Sequence, residues 1–289
     1  MGSTIKNLWE SSILMKIIIV NVAVWVTLRV IAIIAMLFAS PGLLGTALSL
    51  VEIPSRPVEL LLHPWTLLTY MFAQFDLLHI LFNMLWLYWF GVIFMQLTSP
   101  RRLLPVYIYG GLAGALLFFA SYNLLPVFAG SAGGVLIGSS ASVLAIVTAT
   151  AIIAPDYSVG LMFIGRVSLK WIAIVTIAID LLSLSGDNIG GHIAHIGGAL
   201  MGAAYALRLR RGVDLAAPFN RVADAIVNLL RHRRPAPRVK TRRSAPKADK
   251  SAPPTMSEID SILDKIKKSG YTSLTADERA KLFRKSNER

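Results

Sequence analysis

Long apolar runs, separated by short polar breaks, dominate the first 208 residues. Six of them, at about 15–38, 78–98, 103–122, 139–154, 169–185 and 189–207, read as helices that cross a lipid bilayer. Residues 39–77 are partly apolar but carry Pro41, Pro54, Pro57 and Pro64, so they read as a loop. Its Trp65, Tyr70 and Phe72 suit a membrane interface. The first run is too long for a signal-peptide core and lacks a small-x-small cleavage site after it, so it is read as a retained span. The pattern predicts an all-α membrane protein, a six-helix transmembrane bundle followed by a basic cytoplasmic tail.

Charge supports an orientation. Lys6, Lys16, Arg101, Arg102, Arg166, Lys170 and the basic tail fall on one side of such a bundle, and Arg56 falls on the other. The positive-inside rule makes the basic side cytoplasmic and puts both termini there. This predicts a multi-pass protein of the cell membrane. Most of the net charge of +13 lies after residue 207, as a basic flank on a membrane protein does, and no nucleic-acid partner is expected. There is no cysteine, which excludes disulfides, thiolate catalysis and cysteine-based zinc sites.

Three domains are expected: 1–208 in the membrane, 209–254 as a basic linker and 255–289 as a small helical hairpin. In the linker, Phe219, Val222, Ile226, Leu229 and Leu230 share one face of a helix over 217–231 that suits the inner leaflet. Residues 232–254, rich in Pro, Ala, Lys and Arg, are expected to be disordered. In the hairpin, Ile259, Ile262, Leu263 and Ile266 have helical spacing, Gly270 is a stop and Thr275-x-x-Glu278 is a capping box. The hairpin either docks a cytoplasmic partner or packs on itself.

Polar groups inside apolar runs carry the chemistry. They are His79-x-x-x-Asn83, Gly138-Ser139-Ser140 and Ala194-His195. Such groups are expensive at bilayer depth and are rarely placed there without a use. Counting helical rise from the cytoplasmic ends puts Ser140, His195 and Asn83 at one level, roughly 20–22 Å up. His79 lies one turn higher on the Asn83 face. A hydroxyl, an imidazole and an amide are what covalent hydrolysis needs. The fourth run is short, so the preceding 130–138 segment dips into the membrane as irregular backbone, which is tolerated against protein or a water-filled cavity. Gly198 and Gly202 share a face with His195, and Ala141, Ala145 and Ala149 form a ridge beside Ser140, so close packing of these two helices would bring Ser140 to His195.

These residues resemble the rhomboid family of intramembrane serine proteases. The matching motifs are His79–Asn83, Gly138–Ser140, Ala194-His195-Ile196-Gly197-Gly198 and the stretch Pro64–Met71, and the resemblance covers about residues 10–208. It implies a six-helix rhomboid-like bundle of bacterial type and a serine–histidine dyad. Ser140 would be the nucleophile and His195 the general base. His79, Asn83 and the Ser140 backbone N–H would hold the oxyanion, while Gly138, Ala141, Gly198 and Gly202 would pack the site. The implied substrates are transmembrane segments of other proteins within the lipid bilayer, cut near a small residue, and no metal or organic cofactor is implied. Two positions depart from the pattern. Ala141 replaces glycine after the serine, and Leu144 replaces an aromatic residue four positions on, so packing and hydrogen bonds must orient His195.

Other readings are weaker. His192 lies three residues before His195, but a zinc hydrolase would also want a carboxylate base in a His-Glu-x-x-His motif, which is absent, so His192 reads as a residue at the cavity mouth. Arg29 reads as snorkelling or paired with a loop rather than as a substrate or gate contact, and Asp180 as a satisfied structural carboxylate rather than as a group that tunes a catalytic histidine. A rhomboid-like binder without activity would not need the serine, the histidine and both oxyanion side chains. A channel or transporter would show internal repeats or more pathway-lining charge.

Overall fold

The computed structural model describes residues 12–130, 133–161, 165–182, 184, 188–231 and 256–286. Two compact units divide the chain, Met1–His232 and Arg233–Arg289. The first is an all-α bundle. Its longer helices are α1 (Ile13–Leu37), α2 (Pro41–Ser49), α3 (Pro57–Leu62), α4 (Leu77–Leu97), α5 (Pro100–Leu124), α6 (Ser140–Ile153), α7 (Leu169–Leu182), α8 (Ile189–Arg210) and α9 (Ala216–Arg231).

The expected six-span bundle is corrected by helix length and composition. Among the described residues, α1, α4 and α5 are long and apolar enough to cross a membrane. With 14 residues, α6 is about 21 Å long, against roughly 30 Å of hydrocarbon. Fourteen residues also make up α7, and α8 is glycine-rich, holds two histidines and ends on Arg208 and Arg210. An apolar run serves burial in protein as well as exposure to lipid. Every residue of α6 from Ala141 to Ala151 is buried by neighbouring helices, so its composition needs no lipid to explain it. The fold is thus a helical bundle with three candidate spans and further helices, and the protein is multi-pass and membrane-associated. Facing outward, α1 exposes Val26, Val30 and Ile33, as a lipid-contacting helix does.

Glycine governs the centre. A Cβ on Gly198 or Gly202 of α8 would fall on the carbonyl oxygens of Ala141 and Ala145 of α6. A Cβ on Gly197 would come 2.6 Å from the Ala113 carbonyl oxygen of α5. Backbones therefore touch where α5, α6 and α8 meet, and dispersion contacts there are dense.

Short strands tie the loops. Strand β1 (Ile53–Pro54) pairs antiparallel with β2 (Val135–Leu136), matching Ile53 to Leu136 and Pro54 to Val135. The Ser55 N–H donates to the Gly134 carbonyl at 2.8 Å, and the Gly134 N–H donates to Ser55 Oγ at 2.8 Å. The irregular backbone before α6 thus meets protein partners, as a buried loop must. A separate hairpin, β3 (Ser158–Leu161) with β4 (Gly165–Ser168), leads into α7.

Basic residues between α4 and α5 meet the segment after α8. Arg102 Nε lies 2.9 Å from Asp214, and Arg101 donates to Asp224 of α9 at 2.6 Å. Helix α9 leaves Val222, Ile226 and Leu229 exposed. Arg29 of α1 sits over the Phe75 ring at 4.3 Å, a cation–π contact with the loop before α4.

The second unit holds α10 (Met256–Ser269) and α11 (Ala276–Ser286). Gly270, at φ +77°, stops α10 in a conformation that glycine adopts without strain. Thr275 and Glu278 exchange capping bonds: the Thr275 N–H donates to Glu278 at 2.7 Å, and the Glu278 N–H to Thr275 Oγ1 at 3.3 Å. Ile259, Ile262 and Leu274 are buried between the helices, and Lys265–Glu278 and Lys281–Glu258 pairs bridge them. The expected disorder of 232–254 concerns residues outside those described.

Candidate active site

Ser140 is the first residue of α6, and Ser139 occupies the N-cap position. The chain enters through Gly138 at φ +136°, a conformation that strains any L side chain. The Gly138 N–H donates to the Tyr70 carbonyl at 3.1 Å, which fixes this approach. A Cβ on Gly138 would lie 3.5 Å from His79 Nε2 and 3.6 Å from Ser140 Oγ. Glycine therefore keeps open the space between two polar groups.

His195 projects from α8 toward Ser140, and its Nε2 lies 2.6 Å from Ser140 Oγ. On the other side of the ring, Nδ1 lies 2.8 Å from Asp180 Oδ1 of α7. His192, one turn earlier on α8, brings its own Nδ1 within 2.9 Å of the same oxygen. A carboxylate only accepts, so both Nδ1 atoms carry the hydrogen. In the neutral imidazole the lone pair of His195 is then on Nε2, where the Ser140 hydroxyl can donate to it. Ser139 Oγ is buried on the side of Tyr107, so the hydroxyl presented to the base is that of Ser140.

Packing holds this pair of helices in register. Gly198, three residues after His195, sits on Ala141, the residue after Ser140, and Gly202 sits on Ala145. The structure thus brings Ser140, His195, Gly138, Ala141, Gly198 and Gly202 into one neighbourhood.

Asn83 of α4 joins from a third side through a buried polar chain. Its Nδ2 donates to Gln74 Oε1 at 2.7 Å. Gln74 Nε2 donates to Asn21 Oδ1 of α1 at 3.1 Å, and Asn21 Nδ2 donates to the Tyr107 hydroxyl at 3.1 Å. Gln74, Asn21 and Tyr107 are almost fully buried. One amide hydrogen of Asn83 is used in this chain, and the other has no partner among the described residues. His79 is more exposed, and its backbone N–H is capped by Asp76 at 2.8 Å.

Ser140 and His195 line two cavities. One, of about 290 Å³, lies between α4, α6 and α7 and is mostly apolar, with Phe82, Trp86, Val143 and Leu144 in its walls and Asn83 and Asp180 at its polar end. The other, of about 260 Å³, is the more polar of the two, about half polar in its lining, and includes Gln74, Asp76, His79 and Asn188. An apolar chain could enter by the first and water by the second.

Sequence reasoning missed two parts of this arrangement. Asn21 carried a readable signal, an amide in an otherwise apolar helix. Gln74 carried none, because a glutamine in a loop has no pattern. Asp180 was read as a structural carboxylate, and its contact with His195 comes from the tertiary fold. Asp180, His192 and His195 also have donor atoms within 4.8 Å of one another, a group that could hold a metal ion. Their present geometry is that of two hydrogen bonds to one oxygen.

Comparison with known proteins agrees with the motifs. The Rhomboid domain family matches residues 62–212, slightly more than half of the chain. A family of unknown function, DUF6576, matches residues 255–288. RHOMBOID-like protein 12, mitochondrial, from Arabidopsis thaliana is 29% identical over 158 residues, covering 51% of this chain and 47% of that protein. The chain thus spans about half the length of this relative. With a plant mitochondrial relative and three candidate spans, the expected bacterial-type, six-span member is corrected to a match at the level of the domain.

Proposed function

Because the chain belongs to the rhomboid family, we propose that it is an intramembrane serine endopeptidase that cleaves transmembrane segments of other membrane proteins. The observation that carries this reading is the 2.6 Å hydrogen bond between Ser140 Oγ and His195 Nε2, inside a bundle with both an apolar and a polar cavity at that point.

The chemistry follows from the atoms. An apolar segment lies in the cleft between α4, α6 and α7 and presents a scissile carbonyl to Ser140. Oγ attacks that carbon while Nε2 of His195 takes the hydroxyl proton. The carbonyl oxygen becomes an oxyanion in the gap that Gly138 leaves open. There it is held by the free Asn83 amide hydrogen, by His79 and by the Ser140 backbone N–H, with the positive end of α6 behind it. The imidazolium then gives its proton to the leaving amine, and the C–N bond breaks. Water from the polar cavity attacks the acyl-serine with His195 again as base, releasing the carboxylate product and restoring the hydroxyl. The basic residues Arg101 and Arg102 lie toward the cytoplasm by the positive-inside rule, and the polar cavity opens toward the outer side. Helix α9 would rest on the inner leaflet through Val222, Ile226 and Leu229. The C-terminal hairpin is a candidate dock for a cytoplasmic partner.

The test is cleavage of a model transmembrane substrate in liposomes. Wild-type protein cuts it, and Ser140→Ala binds it without cutting. Equal cleavage by the variant would remove the reading.

A further inference from the structure

Nothing in the motifs orients the base. An imidazole can turn about its Cβ–Cγ bond, and its Nε2 meets Ser140 only in one of two flipped positions. Leu144, the α6 side chain one turn after Ser140, has no polar atom and no ring to hold it. Among the described residues, the ring packed near His195 is that of His192, edge-on at 5.7 Å between centroids, on the same helix.

We propose that Asp180 is the positioning residue for His195, and that His192 is the second donor that fixes Asp180 in place. The proposal deepens the serine hydrolase reading and rests on it. Asp180 is 7% exposed in a helix whose neighbouring residues, Ile177, Ile179, Leu181 and Leu182, are all apolar. A buried carboxylate without partners is strongly unfavourable, so a sequence keeps one where it is paired. Here one oxygen accepts from two imidazoles, His195 at 2.8 Å and His192 at 2.9 Å. The bond to His195 does two things. It sets the tautomer, with hydrogen on Nδ1 and the lone pair on Nε2 facing Ser140. It also puts a negative charge beside the ring that becomes positive when Ser140 is deprotonated, and this attraction grows toward the transition state. The bond to His192 keeps the carboxylate from rotating away. The three groups come from three helices, with α6 giving the hydroxyl, α8 the imidazole and α7 the carboxylate.

The experiment compares full-length wild type, Asp180→Asn, Asp180→Glu and His192→Phe in liposomes. It measures kcat and KM for the transmembrane substrate, with the rate of labelling by a fluorophosphonate and the thermal unfolding midpoint. Asp180→Asn keeps the size but loses the charge. It should lower kcat and labelling rate about 10²-fold, the scale of a general-base contribution, with KM changed less than about twofold. Asp180→Glu keeps the carboxylate and should recover at least about tenfold of that loss. His192→Phe should lower kcat only about threefold to tenfold, because Asp180 remains. A merely structural carboxylate would give a different pattern, in which kcat is unchanged or falls only with the folded fraction, and Glu gives no recovery. Either result overturns the proposal. Labelling of wild type that depends on Ser140 shows that the hydrolase reading stands, so loss of the Asp180 effect alone is separable from loss of that reading.

Discussion

Helices α6 and α7 are equal in length and equally apolar on average, yet they sit in opposite environments. From Ala141 to Ala151, α6 is buried throughout. In α7 only Leu169, Ala173 and Asp180 are buried, and Trp171, Val175 and Leu182 face outward. On the proposed mechanism, the nucleophile is carried by the fixed helix and the carboxylate by the loosely packed one. A reaction that must admit a chain from the side needs one wall held to fractions of an ångström and another that can yield. On this account α6, α5 and α8 form the fixed wall, α7 the yielding one, and Asp180 ties the second to the first.

The largest expected effect comes from breaking the fixed wall. Gly198→Val puts a branched side chain on the Ala141 carbonyl, where the atom in the way is backbone and cannot swing aside. A loss of about 3 kcal/mol is expected, seen as a lower unfolding midpoint together with loss of cleavage. A midpoint equal to wild type would mean that the helices part easily there. Next is the oxyanion side. Asn83→Ala removes a donor without touching α6 or α7, and kcat should fall about 10²-fold with KM little changed. A change in KM alone would make Asn83 a binding residue.

Filling the cleft from the yielding wall tests the other half. Thr176 lines the apolar cavity from α7. Thr176→Trp should raise KM about tenfold, or about 1.4 kcal/mol, while the unfolding midpoint stays near wild type. A large drop in stability would show that α7 is packed as firmly as α6.

Much of the helix layout was legible because apolar runs are long and their ends are marked. The run expected at 78–98 is Leu77–Leu97, and the one at 139–154 is Ser140–Ile153. The capping box at Thr275 and the stop at Gly270 are local signals that need no tertiary context. The number of spans was not legible, because apolarity does not separate a helix facing lipid from one like α6, enclosed by protein. At the site, His79, Asn83, Ser140 and His195 stood out as polar residues in apolar runs. Gln74 did not, since it lies in a loop without a pattern and its partner Asn21 is 53 residues away. Asp180 stood out as a charge, but its two imidazole partners come from the way α7 lies on α8.

The smallest effect belongs to the C-terminal hairpin. The Lys265 ammonium and the Thr275 N–H hold the Glu278 carboxyl down to about 2, below its usual 4.5. A lowered folded value means that this contribution is present above about pH 4.5 and is lost as pH falls toward 2. A carbon NMR titration of Glu278 in the full chain should show that low midpoint, and Lys265→Ala should move it up. A midpoint near 4.5 in both would mean that the pair does not persist in solution.

The central claim is that Ser140 is a nucleophile primed by His195. Reaction of the full-length protein in liposomes with a fluorophosphonate, followed by mass spectrometry of the labelled peptide, addresses it most directly. The account predicts one phosphonyl group on Ser140, none in Ser140→Ala, and a rate at least about 10²-fold lower in His195→Ala. No label on wild type, or label on Ser139 with Ser140 untouched, would contradict it.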